Sequence, residues 1–214
     1  MADGTFWARA AGAWAGEASY FDGAMQPIIP QYGNVLRIEV LPGGEVAIHE
    51  WKQYAPSELA RRAAGGTLPP DEGFEVASVQ RGRLDAAGAL DFGADGRFVP
   101  VDAHSVMRDQ RDVETGASRY RMWHTLSGDT VLVTANYGFW YTALEADYYN
   151  RPLRDPATGE TRPNSRLGQL KGISVFRYRR IEPAGIEAAR AERRTRFQVR
   201  APAVPRPPAP ASRG

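Results

Sequence analysis

Strand-like segments joined by short turns occupy most of residues 13–181, and no helix of crossover length comes between them. That rhythm constrains the fold more than any other feature. The segments are 13–21, 34–41, 45–54, 74–84, 98–107, 118–126, 130–140 and 171–181, with a smaller run at 89–92. Two of the joins, Pro42-Gly43-Gly44 and Ser127-Gly128-Asp129, are hairpin signatures, because glycine supplies the positive φ that tight turns need. Without a βαβ alternation a parallel sheet is disfavoured. The expected fold class is therefore all-β: an eight-stranded, up-and-down antiparallel barrel. Such a barrel closes its own sheet edges and at eight strands holds one small ligand.

Helical elements are few. The segment 5–10 is a short helical piece, and 57–64 reads as a helix that Ser57 caps and Gly65-Gly66 ends. The barrel is expected over 1–182, a short basic helix or linker over 183–200, and a disordered Pro/Ala-rich tail over 201–214. The tail is a solubilising extension or a polyproline ligand. The segment 145–166 is long, polar and turn-rich; with Trp140, Tyr141, Tyr148 and Tyr149 at its start it is a candidate lid or an ordinary surface excursion.

Composition removes several chemistries. There is no cysteine, hence no disulfide, thiolate nucleophile, iron–sulfur cluster or Cys-ligated zinc. No run approaches a membrane-spanning length, and the start carries no secretory pattern, so the expected location is the cytoplasm. The net charge of +2 comes from residues 186–214, which hold seven arginines against two glutamates and leave the body net negative. No basic stripe interleaved with aromatics crosses the body, so nucleic acid is not an expected partner. No Walker loop, G-x-G-x-x-G or G-x-S-x-G motif is present, which argues against nucleotide cofactors and a hydrolase triad.

Gly12-Ala13-Trp14 opens the first strand, and Arg179 and Arg180 end the last. This resembles the lipocalin pattern, in which G-x-W begins the barrel and a terminal arginine packs across the tryptophan to close its base. Thr134-Ala135-Asn136-Tyr137 is a loose echo of a further lipocalin element, T-D-Y, with one extra residue and Asn for Asp. The resemblance to the lipocalin-like, calycin superfamily implies a cavity for a small apolar or aromatic molecule. Some relatives are cofactor-free enzymes and others hold haem, so the fold alone does not give the function.

Alternation nominates the cavity side chains. In 119–126 the apolar parity is Tyr120, Met122, His124, Leu126; in 131–139 it is Val131, Val133, Ala135, Tyr137, Phe139. On this reading Tyr120, His124 and Tyr137 share one wall, and His124 is a candidate general acid or base, against the alternative of a hydrogen-bonded core histidine. In 45–54 one parity holds Val46, Ile48, Glu50, Lys52 and Tyr54, so Glu50 is a second candidate base if that side faces in, partnered by Arg37 or Arg177. The candidate catalytic set is thus His124, Glu50 and Tyr120. The candidate ligand-binding set is Tyr137, Trp140, Tyr54, Arg177 and Arg37. The three histidines have no metal-site spacing, so no metal is expected and no cofactor is required; haem on a single histidine is the exception left open. Two functions lead, ahead of a haem-binding barrel and an interaction module worked by the Pro-rich tail. One is binding of a small apolar or aromatic molecule. The other is a cofactor-independent isomerase, cyclase, lyase or hydratase working by acid/base catalysis in the same cavity.

Overall fold

The structure, a computed structural model, describes residues 5–57, 60, 64–65, 69, 71–93, 96–111, 116–139, 153–154, 161–162 and 170–199. The tail at 201–214, Trp140, and nearly all of the excursion at 145–166 lie outside the described residues. The strands are β1 (Gly12–Asp22), β2 (Pro27–Val40), β3 (Glu45–Tyr54), β4 (Phe74–Leu84), β5 (Leu90–Asp91), β6 (Arg97–Pro100), β7 (Ser105–Arg111), β8 (Ser118–Ser127), β9 (Val131–Phe139), β10 (Leu153–Arg154), β11 (Thr161–Arg162) and β12 (Leu170–Ile181). β1 to β9 follow one another round the wall, β12 pairs with both β9 and β1, and the sheet closes as an antiparallel barrel. β10 and β11 form a separate two-stranded ribbon.

The barrel has ten strands where eight were expected, and the difference is local. The segment 98–107 is not one strand. Asp102 Oδ1 accepts the backbone N–H of His104, and Val101 N–H bonds Ser105 C=O, which folds 101–104 into a turn between β6 and β7. The small run at 89–92 contributes β5, which pairs with β4 only at Arg83 and Leu84. Eight long strands remain, plus two short ones at one end of the wall.

Cross-strand partners in an antiparallel sheet share a face, so the register sorts the side chains. Even-numbered residues of β1, β2, β3 and β12 point inward: Trp14, Ala18, Leu36, Ile38, Val46, Phe176 and Tyr178 form the barrel's inner core. Odd-numbered Ala13, Ala15 and Val35 point outward and are covered by α2 (Ile186–Arg196) through Ile186 and Ala189, with Trp51 and Ile181 beside them. The basic segment after the barrel is therefore a packed helix. Arg190 lies 4.8 Å over the Trp51 ring, and Arg190 and Arg194 both donate to Glu75 Oε1, at 2.8 and 2.6 Å. Gln53 Nε2 donates to the other Glu75 oxygen at 2.7 Å. Burial raises the Glu75 pKa, but these three donors outweigh it and hold the carboxyl below its ordinary value.

One end of the barrel is plugged by α1 (Phe6–Ala10), capped by Thr5 and buried through Phe6, Trp7 and Ala10. Trp14 Nε1 donates to Ala10 C=O at 2.8 Å. The Arg180 guanidinium sits 4.2 Å from the Trp14 ring and donates to Ala11 C=O, Arg9 C=O and Asp129 C=O. Gly12 has φ +133°, and a Cβ there would lie 2.5 Å from Arg180 Nη1. The glycine of the G-x-W motif is thus required twice, by its backbone and by the arginine that crosses it. Among the described residues no helix is long and apolar enough to cross a membrane.

Candidate functional site: a half-polar cavity inside the barrel

The inner core does not fill the barrel. A cavity of about 110 Å³ remains above the plug. Leu36, Ile38 and Ile48, with Phe98, Met122, Leu132 and Phe176, give it apolar walls, while Glu50, Lys52, Ser78, Gln80, His124, Thr134, Asn136 and Tyr178 give it polar ones. Ser78 and Gln80 are exposed while lining it, so the cavity meets solvent along β4.

The polar wall is a bonded cluster. Glu50 Oε2 pairs with Lys52 Nζ at 2.9 Å, and Glu50 Oε1 accepts from Asn34 Nδ2 at 2.6 Å. The same Asn34 amide donates to the Tyr178 hydroxyl at 2.9 Å, and Tyr178 also bonds Thr134. Burial pushes the Tyr178 phenol well above its ordinary pKa, with the Glu50 charge adding to it. Burial lowers the Lys52 pKa, but the neighbouring Glu50 carboxylate outweighs it and raises the ammonium above its usual range. The carbonyl oxygens Asn34 Oδ1 and Asn136 Oδ1 are buried and have no partner among the described residues.

His124 lines the same cavity from β8, with Phe98 at 4.7 Å and Trp7 at 6.4 Å between ring centres. Burial, with the Arg108 charge second, lowers its pKa from 6.5 to about 3. It is a neutral imidazole at neutral pH, a hydrogen-bonding group and a weak base.

Of the sequence candidates, the structure brings Glu50 and His124 into one cavity. Tyr120 is on the inward register of β8 but at the open end, 39% exposed, near Tyr20 and Lys52. Tyr54 faces in and stacks on Tyr32 at 5.0 Å, beyond the cavity itself. Arg37, Arg177 and Tyr137 fall on the outer face and do not reach the interior. Arg37 pairs there with Glu39, and Arg177 lies opposite Glu17 and is exposed. Tyr137 lies opposite Arg121. The alternation in β9 pointed the wrong way, because its outer side, Val131 to Phe139, is the more apolar one. The register His124↔Thr134 and Leu126↔Leu132 instead turns Leu132, Thr134 and Asn136 inward. On β7, Arg108 is 4% exposed and lies over the Phe92 and Phe98 rings. The other histidines lie elsewhere. His49 is outside, 2.9 Å from Glu39, and His104 meets Arg9 at the base.

Asn34, Lys52, Thr134, Asn136 and Tyr178 were not among the site candidates nominated from sequence. Asn34 had a signal, since Leu36, Ile38 and Val40 set an inward parity that includes it.

No family model matches the chain, and no curated protein does. Among solved structures, a protein of unknown function from the DUF3598 family of Nostoc punctiforme is similar, with 10% identity and a TM-score of 0.50 over 82% of this chain and 49% of that one. This chain spans about half the length of that protein. The siderocalin Ex-FABP (12% identity, TM-score 0.30, 92% of this chain and 99% of that one) is more remote. So is EF1p2_mFAP2b bound to DFHBI (7%, 0.32, 81% and 94%). The closed antiparallel wall, the Trp14–Arg180 base and the likeness to the DUF3598 protein agree, and the chain has a lipocalin-like, calycin-type barrel fold.

Proposed function

We propose that this protein binds a small, partly aromatic molecule inside its barrel. The observation that carries the reading is the cavity: a closed, plugged wall surrounds space that its own side chains leave unfilled, with apolar walls for a ring and a bonded polar wall for orientation. Native mass spectrometry of the freshly purified full chain, with an absorption spectrum of the same sample, tests it. A retained small molecule, displaced when Met122→Trp fills the cavity, is the expected result. An unliganded mass together with no binding of any ring-sized probe would overturn it.

A second reading is acid/base catalysis without a cofactor. Its support is Glu50 with Lys52 at 2.9 Å, a proton acceptor and donor side by side in the cavity. His124 serves it poorly as a base, with its pKa lowered to about 3. Once a substrate is in hand, Glu50→Gln should abolish turnover while leaving binding within a few-fold. Undiminished turnover would remove Glu50 from the chemistry.

A further inference from the structure

We infer that the cavity selects neutral, single-ring molecules carrying an O–H or N–H donor. The inference rests on the binding function proposed above and narrows it to a ligand class.

Size sets the first limit. An apolar cavity of ~150 Å³ takes a benzene ring, and this one is about 110 Å³ with an exposed flank at Ser78 and Gln80. One ring with a small substituent fits.

Charge sets the second. The ionic groups that line the cavity, Glu50 and Lys52, neutralise each other at 2.9 Å. The Arg108 guanidinium does not line it; it rests on Phe92 and Phe98 and donates to Gln110. A charged ligand would have to break the Glu50–Lys52 pair or be buried without a counterion, and both are costly.

Hydrogen bonding sets the third. Asn34 is fully buried, and its amide orientation is fixed because Nδ2 donates to the Glu50 carboxylate and to Tyr178. Its Oδ1 is left without a partner, as is Asn136 Oδ1 on the cavity wall. Asn136 lines the cavity, so a ligand held there reaches its open oxygen. The wall therefore presents an open acceptor, and buried polar groups are nearly always satisfied. A ligand that brings a donor satisfies it; an apolar isostere leaves it empty and loses the corresponding affinity.

Calorimetric titration of the full chain at neutral pH with six probes tests this: phenol, aniline, toluene, fluorobenzene, benzoate and benzylammonium. Phenol and aniline should bind at least tenfold tighter than toluene and fluorobenzene, and the two ions should not bind in the same range. In Asn136→Leu the preference for phenol over toluene should fall to near parity, with Asn136→Ser as the second variant if the first does not fold. Toluene or fluorobenzene binding as tightly as phenol would overturn the inference while leaving the cavity reading intact. Preference for benzoate or benzylammonium would overturn the charge argument, and an unchanged preference in both Asn136 variants would overturn the choice of acceptor. Failure of all six probes to bind would overturn this inference, and with an unliganded native mass the binding function as well.

Discussion

Two single residues carry more of this fold than their size suggests. Gly12 holds φ +133° against the Arg180 guanidinium, which is fixed by three backbone carbonyls and the Trp14 ring. Gly12→Ala adds a Cβ where neither backbone nor space permits it, so it should cost about 2–3 kcal/mol, read as a lowered urea midpoint. A loss below a few tenths of a kcal/mol would show that the base is not held as described. His124 makes a different prediction. Its pKa is lowered from 6.5 to about 3 by burial first and Arg108 second. Above pH 6.5 it is neutral in both folded and unfolded chains. As pH falls from there toward 3, the unfolded chain takes up a proton that the folded one refuses, so stability declines, at a slope approaching about 1.4 kcal/mol per pH unit. His124→Leu should remove that component. Urea titrations of wild type and variant between pH 7.5 and 5 should therefore show a shallower loss in the variant, and parallel losses would contradict the burial of His124.

At the scale of elements, α2 fastens β1, β2 and β3 from outside, and Glu75 is where β4 joins it. Glu75→Gln keeps the shape but removes the charge that Arg190 and Arg194 share. It should cost on the order of 2–3 kcal/mol and raise amide exchange across α2 before the rest of the barrel. Because the folded Glu75 pKa is held below its ordinary 4.5, the wild-type contribution is present above that pH and fades as pH falls further. The long strands were legible in the sequence because glycine turns and period-two alternation mark them. The inward face was open in β3, where Val46 and Ile48 stand on one side and Ala47 and Trp51 on the other; the register brings the first side, with Glu50, inside. It was not legible in β9, where both sides are apolar and the outer one more so. There the turn held the missing information. Ser127 pairs with Val131 across a three-residue loop, which forces even-numbered residues of β9 onto the face of His124. The division of 98–107 into two strands hung on one Asx turn at Asp102, a side-chain bond that hydrophobic pattern does not report.

For the whole molecule, the plug at one end and the closed wall leave a cavity that is apolar on one side and polar on the other. The G-x-W motif and terminal arginine marked the base; the polar half emerges only when β2, β3, β9 and β12 are brought together in register. Met122→Trp should fill the space and abolish probe binding while near-UV circular dichroism shows a packed barrel, at a stability cost of about 1–3 kcal/mol. Most direct is a crystal structure of the full chain equilibrated with phenol. A ring among Leu36, Met122 and Leu132, with its hydroxyl toward Asn136 and Glu50, is the expected result. A barrel whose own side chains close over that space, with no ring density, would contradict it.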